Sequence, residues 1–433
     1  MSLADDANLL LIPTGYKAQK LYSIFPTSGV GDFDFARTTS ATRVAKNGFI
    51  TTVGTNVPRL NYDILDGEVV GCPHLLLEDE AINSIQYSED ISNAVWTTLA
   101  SGETIVSNSV ISPDGTLNAD TLEGDGTATN VYVRQDVTLS TSTDYTFSIF
   151  AKKGTNNFLA ISAEGFSGAT NTLLIFDLNN GIVTNGTANI EDFGNGWFRC
   201  IFTIAISTDG IGRFLIYPAF NGETRGFPST SDANGQNIYL WGAMLEQSSF
   251  ATSYIRNLST GSTTRAAETC TGSGNAATFN DSEGVLMAEI SALDNDSENK
   301  FISISNGSNT ETLRIAYISG TDIRLETSMT SGTNFQKDIE INLSDNNKVC
   351  FQYKSNEYKV FVNGFSYSVT QRLTTPTGLN ELSFHRGDGG RNFYGKTKQI
   401  QYHSTALSDS NLEKLTSWTS FEDMATGQLY TIQ

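Results

Sequence analysis

The chain has 433 residues, 39% hydrophobic and 17% charged, which gives apolar material for about three domains and excludes the weakly hydrophobic, highly charged profile of a disordered chain. Acids outnumber bases 47 to 27, a net charge of −20, and such a surface repels phosphate backbones, which argues against nucleic-acid binding as the main task. Ser (44) and Thr (51) with 38 Gly, 25 Phe and 16 Tyr favour strands and tight turns over helices.

Residues 1–80 begin without a basic region leading into an apolar stretch, so no secretory signal is expected. The apolar run Leu9 to Ile12 is too short to span a membrane, and no membrane insertion is expected. Strand-like pieces (Phe49 to Val53, Leu75 to Leu77) lack a regular beat, and the segment reads as an extended arm that cannot close a core alone. It would gain order on its own downstream domains or on a partner. From Leu60 to Val133 there are thirteen acids and no Lys or Arg, either a solvated acidic face or a surface for a basic neighbour.

From residue 81 to 257 the beat becomes regular. Strands are predicted at 104–111, 129–138, 144–151, 157–163, 172–178, 197–206, 211–218 and 237–245, a β-sandwich of jelly-roll type. Tyr145, Phe147, Ile149 and Ala151 mark one buried face, whereas the 237–245 run is apolar on both, as in a central strand. Residues 258–280 read as a polar linker.

A second sandwich is predicted over 281–420, with strands at 284–291, 300–306, 311–318, 321–328, 335–342, 347–354, 357–362, 366–371, 381–385 and 395–402. Asn363-Gly364 signals a hairpin turn, and Ser410-Asn-Leu-Glu413 a capping box opening one short C-terminal helix. The fold class expected is therefore all-β: two tandem sandwiches behind an N-terminal arm, with a tail over 421–433. Cys72, Cys200, Cys270 and Cys350 form no CxxC or Cys/His spacing, so neither disulfides nor zinc are expected; Cys200 and Cys350, inside apolar strand-like runs, read as buried free thiols, and synthesis in a reducing cytoplasm is expected.

Several strings in fixed order carry a resemblance: Phe35-Ala-Arg37 to Thr42-Arg43, Val57-Pro58-Arg59-Leu60-Asn-Tyr62, Cys72-Pro73-His-Leu-Leu-Leu77-Glu78, Tyr87-Ser88-Glu89 with Trp96, Ser112-Pro113-Asp114-Gly115, Asn195-Gly-Trp197-Phe-Arg199, Leu245-Glu246 to Ile255, and Gly261 to Arg265. Together, over residues 33 to 267, they resemble a domain common in phage tail and head-spike proteins. The middle portion resembles carbohydrate-binding-module jelly rolls. Residues 283–418 resemble, more loosely, laminin-G or concanavalin-like sandwiches. The resemblance implies a virion component of fibre, spike or appendage character, with other head, portal or tail proteins as partners. A homo-oligomer, favoured as a trimer, and contact with host-surface glycans go with it.

Aromatic rings are the candidates for a glycan platform: Trp96 in a polar stretch, and Tyr217, Phe220 and Phe227 around the Gly-rich loop Asn221 to Gln236. Trp197 and Trp241 sit in strand patterns and read as core. Asp294, Asp296 and Glu298 form the tightest acidic cluster, a hairpin turn or a Ca²⁺ loop, the one cofactor considered. It lacks the apolar spacers and first Glu of concanavalin-fold glycanases. His74, His385 and His403 are scattered, no catalytic constellation can be built, and a non-enzymatic protein is expected. The alternatives are a glycan-cleaving depolymerase, which would need the 294–298 carboxylates in a groove, and an architectural head-decoration or tail-collar piece without a ligand.

Overall fold

The computed structural model describes residues 3–98, 102–140, 143–165, 172–206, 209–293, 299–318, 321–367 and 373–418. The chain is mostly β, built from antiparallel sheets that pair into sandwiches. No helix among the described residues is long and apolar enough to cross a membrane.

The central sandwich packs two six-stranded sheets. One runs in the order Glu103–Ile111, Leu117–Gly124, Asn237–Glu246, Thr143–Lys153, Trp197–Ile206, Asn189–Asp192. The other runs Thr97–Thr98, Val133–Leu139, Gly210–Pro218, Phe158–Glu164, Thr172–Asp177, Ile182–Asn185. Tyr145, Phe147, Ile149 and Ala151 all point between the sheets, as their alternation requires, and Phe147 stacks on Phe214 of the facing sheet at 4.8 Å. The Asn237–Glu246 strand is central and apolar on both faces, but only one face meets the second sheet. Its Trp241 and Met244 are covered instead by Ile50 of the N-terminal segment and by Tyr254 and Ile255.

The C-terminal sandwich packs an eight-stranded sheet on a five-stranded one. Its larger sheet shows where the N-terminal segment gains its order, on the chain's own downstream domain, as strands rather than a free arm. Gly395–His403 pairs along one edge with Glu283–Ala292. Its other edge takes two N-terminal strands: Leu9–Leu11 in register Leu9 to Tyr402, and Glu68–Leu77 in register Leu77 to Gly395. Leu9, Leu11, Leu21, Phe33, Phe35, Leu60, Leu75 and Leu77 belong to the same core as Leu286, Phe351 and Ile400. The N-terminal segment is too short of regular strands to close its own core, and its apolar residues find burial in a domain made nearly three hundred residues later.

The polar linker expected over 258–280 is likewise a built part of the body. Thr263–Arg265 pairs with Ala81–Asn83, Thr269–Thr271 pairs with Phe33–Ala36, and Cys270 is fully buried. The C-terminal helix spans Asp409–Thr416, but Ser408 rather than Ser410 caps it, its side chain accepting from the Asn411 amide. The loop Asn221 to Gln236 adds one helical turn, Thr230–Ala233. All four cysteines are free; Cys72 is exposed and the other three are buried.

Candidate functional site

Many of the polar residues in the quoted strings converge on one buried point. Arg37 Nη1 donates to Glu268 Oε1 at 2.6 Å, Arg59 Nε to the same oxygen at 2.9 Å, and Arg59 also grips Glu268 Oε2. Arg59 Nη1 reaches Glu78 Oε2 at 2.7 Å and Arg265 Nη1 reaches it at 2.9 Å. Ser253 donates to Glu78 through both its amide (2.8 Å) and its hydroxyl (2.6 Å). Burial pushes the Glu78 carboxyl up, but Arg265 and Arg59 outweigh it and hold it far below the ordinary range. Three arginines and two glutamates thus knot the N-terminal segment to the middle of the stretch joining the sandwiches. Their role is structural, because the side chains are buried and each carboxylate is gripped by two of the arginines.

Beside this knot, where the N-terminal segment and both sandwiches meet, lies a cleft of about 830 Å³. Asn61, Tyr62 and Asp63 from the Arg59–Leu65 strand line one wall, and Asn179, Asn180 and Phe193 from turns of the central sandwich line another. Lys396 and Ser344 come from the C-terminal sandwich. The walls touch at a backbone contact: Gly194, at φ +77°, lies so close that a Cβ there would sit 2.4 Å from the Gly67 carbonyl oxygen.

Asp63 organises the cleft. Its Oδ1 accepts from Lys396 Nζ at 2.7 Å, and its Oδ2 lies 3.5 Å from His74 Nδ1 and 3.8 Å from Lys398 Nζ. Burial raises the Asp63 carboxyl, but Lys396 and His74 more than reverse it, so it stays ionised. Burial pushes the His74 imidazole below its ordinary value in spite of Asp63. A carboxylate held this low is a poor general acid, whereas amide, phenol and ammonium groups around an open cavity are suited to hydroxyl-rich ligands.

The aromatic platform expected from the sequence is corrected at three of its four positions. Trp96 is 4% exposed, sits in the central core and donates Nε1 to the Tyr87 carbonyl at 3.2 Å. Tyr217 is 2% exposed, with the Arg225 guanidinium 5.1 Å above its ring. Phe227 is 6% exposed and pins its loop to the core. Phe220, at 41%, offers a surface but contacts Phe227 edge-on at 6.1 Å and lies on no wall of the cleft. Asp294, Asp296 and Glu298 lie outside the described residues. Among those described, no three His, Cys, Asp or Glu side chains are grouped to hold a metal. Trp197 and Trp241 are buried, as read.

The acidic stretch 60–133 has basic neighbours within its own chain: Lys396 at Asp63, Arg59 and Arg265 at Glu78, and Arg256 at Glu89. Sequence reasoning missed Asn61, Tyr62, Asn179 and Asn180 as site residues. Only the Arg59–Leu60–Asn61–Tyr62 string carried a signal, and it was read as part of a resemblance.

No protein-family model and no curated protein sequence matches the chain. Among solved structures, the CBM40 of the Ruminococcus gnavus IT-sialidase bound to α2,3-sialyllactose aligns at 17% identity over 33% of this chain and 92% of its own, with a TM-score of 0.29. A leech intramolecular trans-sialidase aligns at 18% identity over 33% of this chain and 24% of its own (TM-score 0.29). The SAP-like pentraxin of Limulus polyphemus aligns at 13% identity over 32% of this chain and 71% of its own (TM-score 0.26).

Proposed function

We propose that this protein is a non-enzymatic phage virion component, a fibre, spike or appendage subunit, whose rigid body holds a host-surface glycan in the cleft between its sandwiches. The glycan part rests on one observation: an open cavity of about 830 Å³ at the three-way junction, lined by asparagines, a tyrosine and a lysine already oriented by Asp63. The virion part rests on the sequence resemblance over residues 33 to 267. With its N-terminal strands built into a sheet, the protein would attach to the particle through a face of the folded body rather than a free arm, and a trimer would form the same way.

The test is an array of bacterial surface oligosaccharides probed with the full chain. Binding that Tyr62→Ala weakens several-fold is expected, since an aromatic contact contributes about 1 kcal/mol. A blank array at high protein concentration would overturn the glycan reading. Electron microscopy of purified particles tests the virion reading, and absence of the protein from them would end it.

A further inference from the structure

On the other side of Arg43 and Tyr62, which also line the cleft, a groove of about 560 Å³ opens between the Tyr16–Lys17 strand and the hairpin of Ala41–Val44 and Ile50–Val53. Its composition is unlike that of the rest of the molecule. In a chain of net charge −20, this groove is lined by Arg43 and Lys46 with Tyr16, Tyr62, Asn47 and Thr14, and no Asp or Glu among the described residues lines it.

Arg43 is held but not neutralised. Its guanidinium lies 5.7 Å above the Tyr16 ring, and Nη1 donates to the Leu60 carbonyl at 3.3 Å. Nε has no hydrogen-bond partner, and no carboxylate among the described residues pairs with the group. Arg37, Arg59, Arg256, Arg265, Arg314 and Arg324 hold an acid, and Arg199, which among the described residues has no ion pair either, is buried and spent on Ser148 and the Thr252 carbonyl. Lys46 is exposed at the hairpin turn and has no ion pair among the described residues. A guanidinium held in place without its acid is complementary to a carboxylate, to which it can donate a charge-assisted hydrogen bond.

We infer that the Arg43–Lys46 groove is a subsite for an acidic sugar residue, one carrying a carboxylate, at one end of a glycan that continues into the cleft. The inference rests on the glycan reading above and specifies its ligand class. Two cations set among phenols and an amide fit a sparsely charged saccharide. A dense polyanion such as a nucleic acid would be repelled by the acidic remainder of the surface.

The experiment uses the full chain on an array in which each acidic capsular oligosaccharide is printed beside its carboxyl-reduced form. Signals confined to the acidic members are expected, weakening as NaCl rises from about 0.05 to 0.5 M. Arg43→Gln is expected to lower affinity for an acidic hit at least tenfold, the loss of about one charge-assisted pair. Lys46→Gln, at an exposed turn where folding is not at stake, is expected to lower it a few-fold. Equal binding of carboxyl-reduced partners, or unchanged affinity in Lys46→Gln and a folded Arg43→Gln, would overturn the subsite while leaving the glycan reading intact. A blank array would remove both.

Discussion

Arg37 Nη1 donates to Glu268 Oε1 across 2.6 Å, joining positions 231 residues apart with both side chains fully buried. The same carboxylate accepts from Arg59 and from the Glu78 amide, so one side chain ties together the N-terminal segment and the connection between the sandwiches.

Removing it should therefore unfasten more than a local contact. Glu268→Ala leaves Arg37 buried without its anion and Arg59 with Glu78 alone, and breaking a buried pair from one side costs about 3–5 kcal/mol. Chemical denaturation should show a loss of that size. Wild-type stability in the variant would mean that the knot does not hold the body together.

The strand Leu9–Leu11 gives a second expectation. Leu11 is fully buried in the C-terminal core and pairs with Ile400, so Leu11→Ala should cost about 2–5 kcal/mol. The loss should also appear far away in sequence, as faster amide exchange over 395–403. Unchanged protection of that strand would show the N-terminal strand to be dispensable for it.

What the sequence made legible, and what it hid, follows from how far each residue's partner lies. Strands whose apolar alternation is satisfied locally, such as Thr143–Lys153 or Trp197–Ile206, were placed within a few residues. Leu117–Gly124 was missed because Leu122 is its one large apolar residue in the central core and Asp120 beside it is a buried acid, accepting from the Ile91 and Asn108 amides at 2.8 Å each. The stretch 258–280 looked like a linker because Arg265 and Glu268 read as solvent-seeking until their partners at 37, 59 and 78 are known. The cleft was illegible for the same reason, since its walls come from segments more than a hundred residues apart.

Glu246 carries a pH expectation. It is 1% exposed, and burial pushes its carboxyl up to about 7 despite bonds from the Thr252 amide and hydroxyl and the nearby Arg199 and Arg265. A folded-state value above the unfolded one means that the folded form binds the proton more tightly. This contribution is therefore present at low pH and lost as pH rises from about 4.5 to about 7. Glu78 and Asp63, held low, work in the opposite sense and lose their contribution on acidification below the ordinary carboxylate range. Glu246→Gln should flatten the decline between pH 6 and 7, with Asp120, raised to about 6 by burial, still carrying part of it below that, and should leave the acid limb in place. An unaltered stability profile over pH 5 to 7 would contradict it.

The rings around the Asn221–Gln236 loop separate packing from binding. Phe227 is buried in the central core, so Phe227→Ala should cost about 3–5 kcal/mol. Phe220 is 41% exposed and touches Phe227 only by its edge, so Phe220→Ala should cost less than about 1 kcal/mol. Neither ring lines the cleft, and glycan affinity should be unchanged in Phe220→Ala while it falls in Tyr62→Ala. Thermal melts and the array together read both effects. Were Phe220→Ala to abolish binding with its stability intact, the site would lie on this loop, as its polar, glycine-rich sequence suggests, and the cleft would be a packing gap between three well-joined parts.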